Sequence, residues 1–162
     1  MYMSSEDVYK VARNIFGRYG AFFKTVVKEI GVEKALELHA EAHRELGVAT
    51  ADSIRESMGN VEFDLETLGP LLRDGNVSHG LLTEMVETPT SILLKNSRCP
   101  VYDGYRMVGL DNETSEALCQ HGAIAKIGTT VNLLNPKLTY ELSHYRSKPD
   151  ESCVEEIKPI GD

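Results

Sequence analysis

Residues 137–146 read Lys137-Leu138-Thr139-Tyr140-Glu141-Leu142-Ser143-His144-Tyr145-Arg146. Leu138, Tyr140, Leu142 and His144 alternate with Thr139, Glu141, Ser143 and Tyr145, the two-residue period of a strand. Lys148-Pro149-Asp150 is a hairpin-like turn, and Ser152 to Ile157 is expected to pair back as the last strand. Upstream, the period changes.

From Ser5 to Ile30, apolar residues fall at Val8, Val11, Ala12, Ile15, Phe16, Tyr19, Phe22, Phe23, Val26, Val27 and Ile30. Steps of three and four predict a helix. Ser4 or Ser5 can cap it, Glu6 and Asp7 suit its N-terminal dipole, and Gly31 is a good stop. Gly17 and Gly20 are expected to kink or break it. Val32 to about Met58 predicts a second helix, bent at Gly47 and ended by Gly59-Asn60. Helices of this length often pack as an antiparallel pair. Asp64 to Leu72 predicts a third, interrupted at Gly69-Pro70.

Gly80–Glu87 and Thr90–Lys95 are expected to be strands around Thr88-Pro89. Val101–Val108 reads as a short helix closed at Gly109, and Asn112 to about Thr129 as a longer one before the Asn135-Pro136 turn. The expected class is α+β: two long N-terminal helices packed on a small, mainly antiparallel sheet, with a further helix before the last two strands. Residues 1–75 form the helical part and 80–162 the sheet part of a single domain.

The chain has 162 residues, 41% hydrophobic and 26% charged, with a formal net charge of −8. This composition is that of a globular protein. Its acidity argues against nucleic acid, whose phosphates need Lys and Arg, and against an anionic membrane surface. No long apolar run predicts a membrane span, and the polar start predicts no secretory signal. Three cysteines make an odd set for a disulfide framework, so a cytoplasmic location is expected.

Those cysteines carry the candidate chemistry. Cys119 and Cys153 bracket the Glu141-x-x-His144 step. Cys, His and carboxylate are the ligands zinc prefers in tetrahedral array. However, Glu141 and His144 differ by three and point to opposite faces of a regular strand, so both can ligate only where a bulge intervenes. The alternative is that Cys119 and Cys153 are ordinary buried thiols. His39 and His43 stand i,i+4 and could clasp a metal, but an exposed helix face is the expected role. His121 is expected on the far face of its helix from Cys119. No phosphate loop, dinucleotide fingerprint or Gly-x-Ser-x-Gly step is present.

The C-terminal segment from Cys99-Pro100-Val101-Tyr102 through Cys119, Asn135-Pro136, Leu138 and Cys153-Val154 resembles the L-2-amino-thiazoline-4-carboxylate hydrolase family. The resemblance implies a hydrolase acting on a carbon–nitrogen bond of a small cyclic amidine. Cys99 would be its nucleophile or a pocket thiol; as nucleophile it would attack the C=N carbon, activated by Arg98 or by a helix N-terminus, and a metal-bound water at Cys119, His144 and Cys153 is the other expected attacker. The alternative for Cys99 is a packed thiol at a strand end. Tyr105 and Arg106, with Asp103, would line the pocket, and Arg106 or Arg146 would hold a carboxylate.

A more distant likeness to the 4-vinyl reductase domain implies zinc on Cys119, Glu141, His144 and Cys153, with His144 where that pattern has Cys. It also implies a small-molecule binding or sensor domain without catalysis. Such domains often dimerise through their N-terminal helices, here through the face of Phe16, Phe22 and Phe23.

Overall fold

The computed structural model describes residues 4–59 and 61–161. Helix α1 spans Ser5–Ile30, and Ser4 caps it reciprocally with Asp7. Such a cap contributes about 1 kcal/mol. Helix α2 spans Val32–Met58 and ends at Gly59, whose φ of 68° suits glycine. The expected Asn60 part of that stop lies outside the described residues.

Neither long helix breaks at its glycines, which instead let other chain segments approach. A Cβ on Gly20 would stand 3.0 Å from Leu110 Cδ1 and 3.1 Å from Tyr105. At Gly47, the carbonyl oxygen of Lys126 lies 2.5 Å from where a Cβ would be. Thus α1 packs chiefly on a later helix, α4 (Pro100–Met107). Helix α2 packs on α5 (Asn112–Ala123), a π-helical turn (Ile124–Gly128) and α6 (Thr129–Leu134). Contact between α1 and α2 is the lesser one, made by Tyr19 and Phe23 against His39.

Helix α3 (Leu65–Ser78) is capped by Asp64 and continues through Gly69-Pro70, six residues past the expected end. Gly69 allows it to settle on Ile92 and Met85 of the sheet. The sheet has strands β1 (Leu82–Glu87), β2 (Ile92–Arg98), β3 (Leu138–His144) and β4 (Cys153–Pro159), all antiparallel, in the order β1-β2-β4-β3. The last hairpin therefore docks β4 against β2, and α5, the π-helical turn and α6, which lie between β2 and β3 in the chain, pack on β3.

Register assigns the two faces. Partners across an antiparallel pair point the same way. Thr83, Asn96 and Cys153 form one inward row; Leu94, Glu155 and Leu142 the next; Ile92, Ile157 and Tyr140 the third. Leu94 and Ile157 are fully enclosed, each stabilising the fold by roughly 1.5–3 kcal/mol. Val154, Glu156 and Lys158 lie on the other face. The α+β architecture, with its two long N-terminal helices and small sheet, is the one expected. No described helix is long and apolar enough to cross a membrane.

Candidate functional site

Cys99, Cys119 and Cys153 converge. Cys99 and Cys153 are buried with Tyr102, Leu142 and Tyr145, and Cys119 packs against them from α5. None forms a disulfide. Three separate devices bring them together. Cys99 directly follows β2 and is the N-cap residue of α4, with Pro100 opening the helix. Cys119 is set by an α5 start that Asp111 caps through Thr114. Cys153 begins β4 opposite Asn96.

Burial pushes the Cys99 thiol up to about 12, against the pull of the Tyr102 and Val101 backbone N–H groups at the helix N-terminus. Burial likewise raises Cys119 well above the usual range, and raises Cys153. The backbone N–H of Arg146 donates to Cys153 Sγ at 3.5 Å.

The residues proposed as zinc ligands divide between the faces. The bulge that the Glu141–His144 spacing requires is present, between Leu142 and His144. It aligns His144 with Val154 and leaves Glu141 opposite Glu156, so both face away from Cys153. Glu141 instead accepts a hydrogen bond from Lys158 Nζ at 2.7 Å, and His144 is exposed. The bulge solves the parity problem in the wrong direction. Among the described residues, no three His, Cys, Asp or Glu side chains are grouped to hold a metal ion. The four named residues do not fit zinc.

Arg106 is also misplaced. It is exposed and donates to Asn112 Oδ1 at 3.2 Å, outside the thiol cluster. Tyr105 is buried between the cysteines and the α1 side of the core, and burial raises its pKa well above normal. Arg98 turns outward to Glu6 at 3.0 Å and over the Tyr9 ring, so it does not activate Cys99. Asp103 accepts from Tyr9 at 2.6 Å. Arg146 is only 2% exposed. Its guanidinium donates to the backbone carbonyls of Ser97, Lys148 and Pro149, which ties down the hairpin turn rather than leaving it free for a substrate.

His39 does not lie on an exposed face. It is 5% exposed, takes a hydrogen bond from Tyr19 at 2.6 Å on Nδ1, and donates from Nε2 to the Leu118 carbonyl at 3.0 Å. Burial lowers its pKa to about 4. With both ring nitrogens engaged, it has none free for a metal. His121 is exposed on a cleft of about 300 Å³ that Arg44 and Gln120 also line.

Sequence reasoning missed Glu155. It is 7% exposed on the inner face of β4. Asn96 Nδ2 donates to its Oε1 and Asn76 Nδ2 to its Oε2, both at 2.9 Å. The Thr83 hydroxyl holds Asn96 Oδ1 at 2.6 Å. Nearby, the buried Tyr140 hydroxyl has no hydrogen-bond partner among the described residues, while the Ser115 and Tyr145 hydroxyls face each other. The period-two pattern was the available signal: Cys153, Glu155 and Ile157 share a face.

No protein-family model matches the chain, and comparison with characterised proteins finds no significant match.

Proposed function

We propose that this protein is a thiol-dependent hydrolase of small cyclic amidines, similar in activity to the L-2-amino-thiazoline-4-carboxylate hydrolase family. The observation that supports it is the position of Cys99. Its sulfur sits at the N-terminus of α4, in a cluster with two further thiols and the Tyr102 and Tyr145 rings. A helix N-terminus favours a thiolate. Here burial outweighs that pull, so the resting group is the thiol.

A cyclic amidine reaches the site as an amidinium, and its electrophilic carbon supplies what the resting site lacks. The Cys99 thiol adds to that carbon, forming a carbon–sulfur bond as the carbon–nitrogen π bond opens, and the thiol proton passes to the ring nitrogen. Collapse breaks the ring carbon–nitrogen bond, and the ring nitrogen leaves with a proton. Water then adds to the same carbon and Cys99 departs as a thiol, giving a ring-opened amide. Every proton is accounted for between substrate, Cys99 and water, and no step runs through a metal.

One feature favours a binding or sensor domain of the 4-vinyl reductase type instead: burial raises the pKa of all three thiols, away from the nucleophilic form. A zinc ion stabilising that form would need ligands other than the Cys119, Glu141, His144 and Cys153 set. In either role we propose a homodimer through α1. Phe23 is buried and Phe16 packs edge-on against Tyr105, so the contact would use exposed Val11, Ile15 and Phe22. A monomer in sedimentation at micromolar concentration would rule that out.

The catalytic proposal is tested by incubating the protein with cyclic amidines and detecting ring-opened product by chromatography. Turnover by the wild type that falls to background in Cys99→Ser supports it. Undiminished turnover in Cys99→Ser overturns it. Binding without product in the wild type returns the site to the binding-domain role.

A further inference from the structure

Glu155 is a buried carboxylate without a cation. Among the described residues, no Lys, Arg or His forms an ion pair with it. Its two oxygens each accept one amide hydrogen, from Asn96 and Asn76. Those amides fix its plane but do not neutralise it. Placing an ionised carboxylate in a protein interior costs several kcal/mol unless a charge partner or a full set of donors compensates. An apolar residue at this inward position, between Leu94 and Leu142, would pack without that cost.

Its neighbours point the same way. Glu155 lies within electrostatic reach of Cys99, Cys119 and Tyr140. Tyr140 is 3% exposed and its hydroxyl has no partner among the described residues. The Ser115 and Tyr145 hydroxyls, by contrast, face each other. Buried polar atoms are nearly always satisfied. A carboxylate lacking a cation, with the Tyr140 hydroxyl lacking a partner among the described residues, describes the complement of one ligand, positively charged and rich in N–H donors.

We infer that Glu155 selects the cationic head of the ligand, an amidinium or guanidinium, and that Asn76 and Asn96 hold its carboxylate in the plane needed to meet it. This rests on the thiol cluster being the small-molecule site. It assigns Glu155 a specificity role separate from the attack by Cys99. A planar cation with two N–H groups meets a carboxylate in paired hydrogen bonds, and would present its central carbon toward the neighbouring thiols.

The test is calorimetric titration with 2-aminothiazoline, a cation at neutral pH, and with 2-methylthiazoline, its neutral relative. The wild type and Cys99→Ser should prefer the cation by roughly tenfold to a hundredfold. Glu155→Gln should lose that preference while Cys99→Ser keeps it. Equal binding of both compounds by the wild type, or an unchanged preference in Glu155→Gln, overturns the inference. Should Glu155→Gln fail to fold, the carboxyl carbon signal of Glu155 in labelled wild type serves. It should shift on adding 2-aminothiazoline, and an unmoved signal overturns the inference. Cation preference without ring opening keeps the role of Glu155 and removes the hydrolase proposal.

Discussion

Asn96 and Cys153 are register partners across β2 and β4, so the amide and the thiol share one inward face. From there Asn96 reaches Glu155, two residues along β4, while Thr83 holds its other end. Asn96→Ala would leave one Glu155 oxygen and the Thr83 hydroxyl without their partner in a buried place. The expected loss is about 2 kcal/mol or more, read as a lower urea midpoint. An unchanged midpoint would mean that the network does not order the site.

Cys99 should be a slow thiol. With its pKa pushed up to about 12, the thiolate fraction near pH 8 is roughly a thousandfold below that of a free cysteine. Iodoacetamide should label Cys99 slowly in the native protein and at the ordinary rate in denaturant, as followed by peptide mass spectrometry. Fast native labelling would contradict the closed cluster.

His39 makes the fold sensitive to acid. Its pKa falls from the ordinary 6.5 to about 4 because burial disfavours the cation. As pH drops below 6.5, the unfolded chain takes up the proton first. Stability present above that value is therefore lost progressively down to about pH 4, on the order of 2 kcal/mol. His43, also lowered by burial, adds to the loss with the same sign. Thermal melts across this range should show the slope, and His39→Gln should flatten it.

Gly104 brings the backbones of α1 and α4 close together. A Cβ there would stand 2.7 Å from the Arg13 carbonyl oxygen and 2.8 Å from the Gly17 nitrogen. Both are backbone atoms that cannot move aside cheaply. Gly104→Ala should cost about 2 kcal/mol or more by denaturant unfolding, although alanine is the better helix former. A neutral or stabilising result would show that the two helices can separate without penalty.

The long helices were legible because their apolar residues keep the helical period and their ends carry Ser4, Gly31 and Gly59. The internal glycines misled. A glycine that weakens a helix and one that admits a neighbour look alike until that neighbour, such as Tyr105 against Gly20, is placed. The π-helical turn at Ile124–Gly128 leaves no mark in the pattern. At the site, Cys99 before Pro100 read correctly as a helix start. Glu141 and His144 could not be assigned a face, because one bulge decides it and the alternation runs through that bulge unbroken. Glu155 was hidden by charge: beside Glu156 it resembles a solvated pair, although the period of Cys153 and Ile157 turns it inward.

Acid-quenched intact-mass spectrometry during reaction with a cyclic amidine tests the central proposal most directly. A transient adduct equal in mass to one substrate, mapped by peptide digestion to Cys99 and absent in Cys99→Ser, is the expected result. Ring opening that proceeds with no adduct, or with the adduct on Cys119 or Cys153, would contradict it.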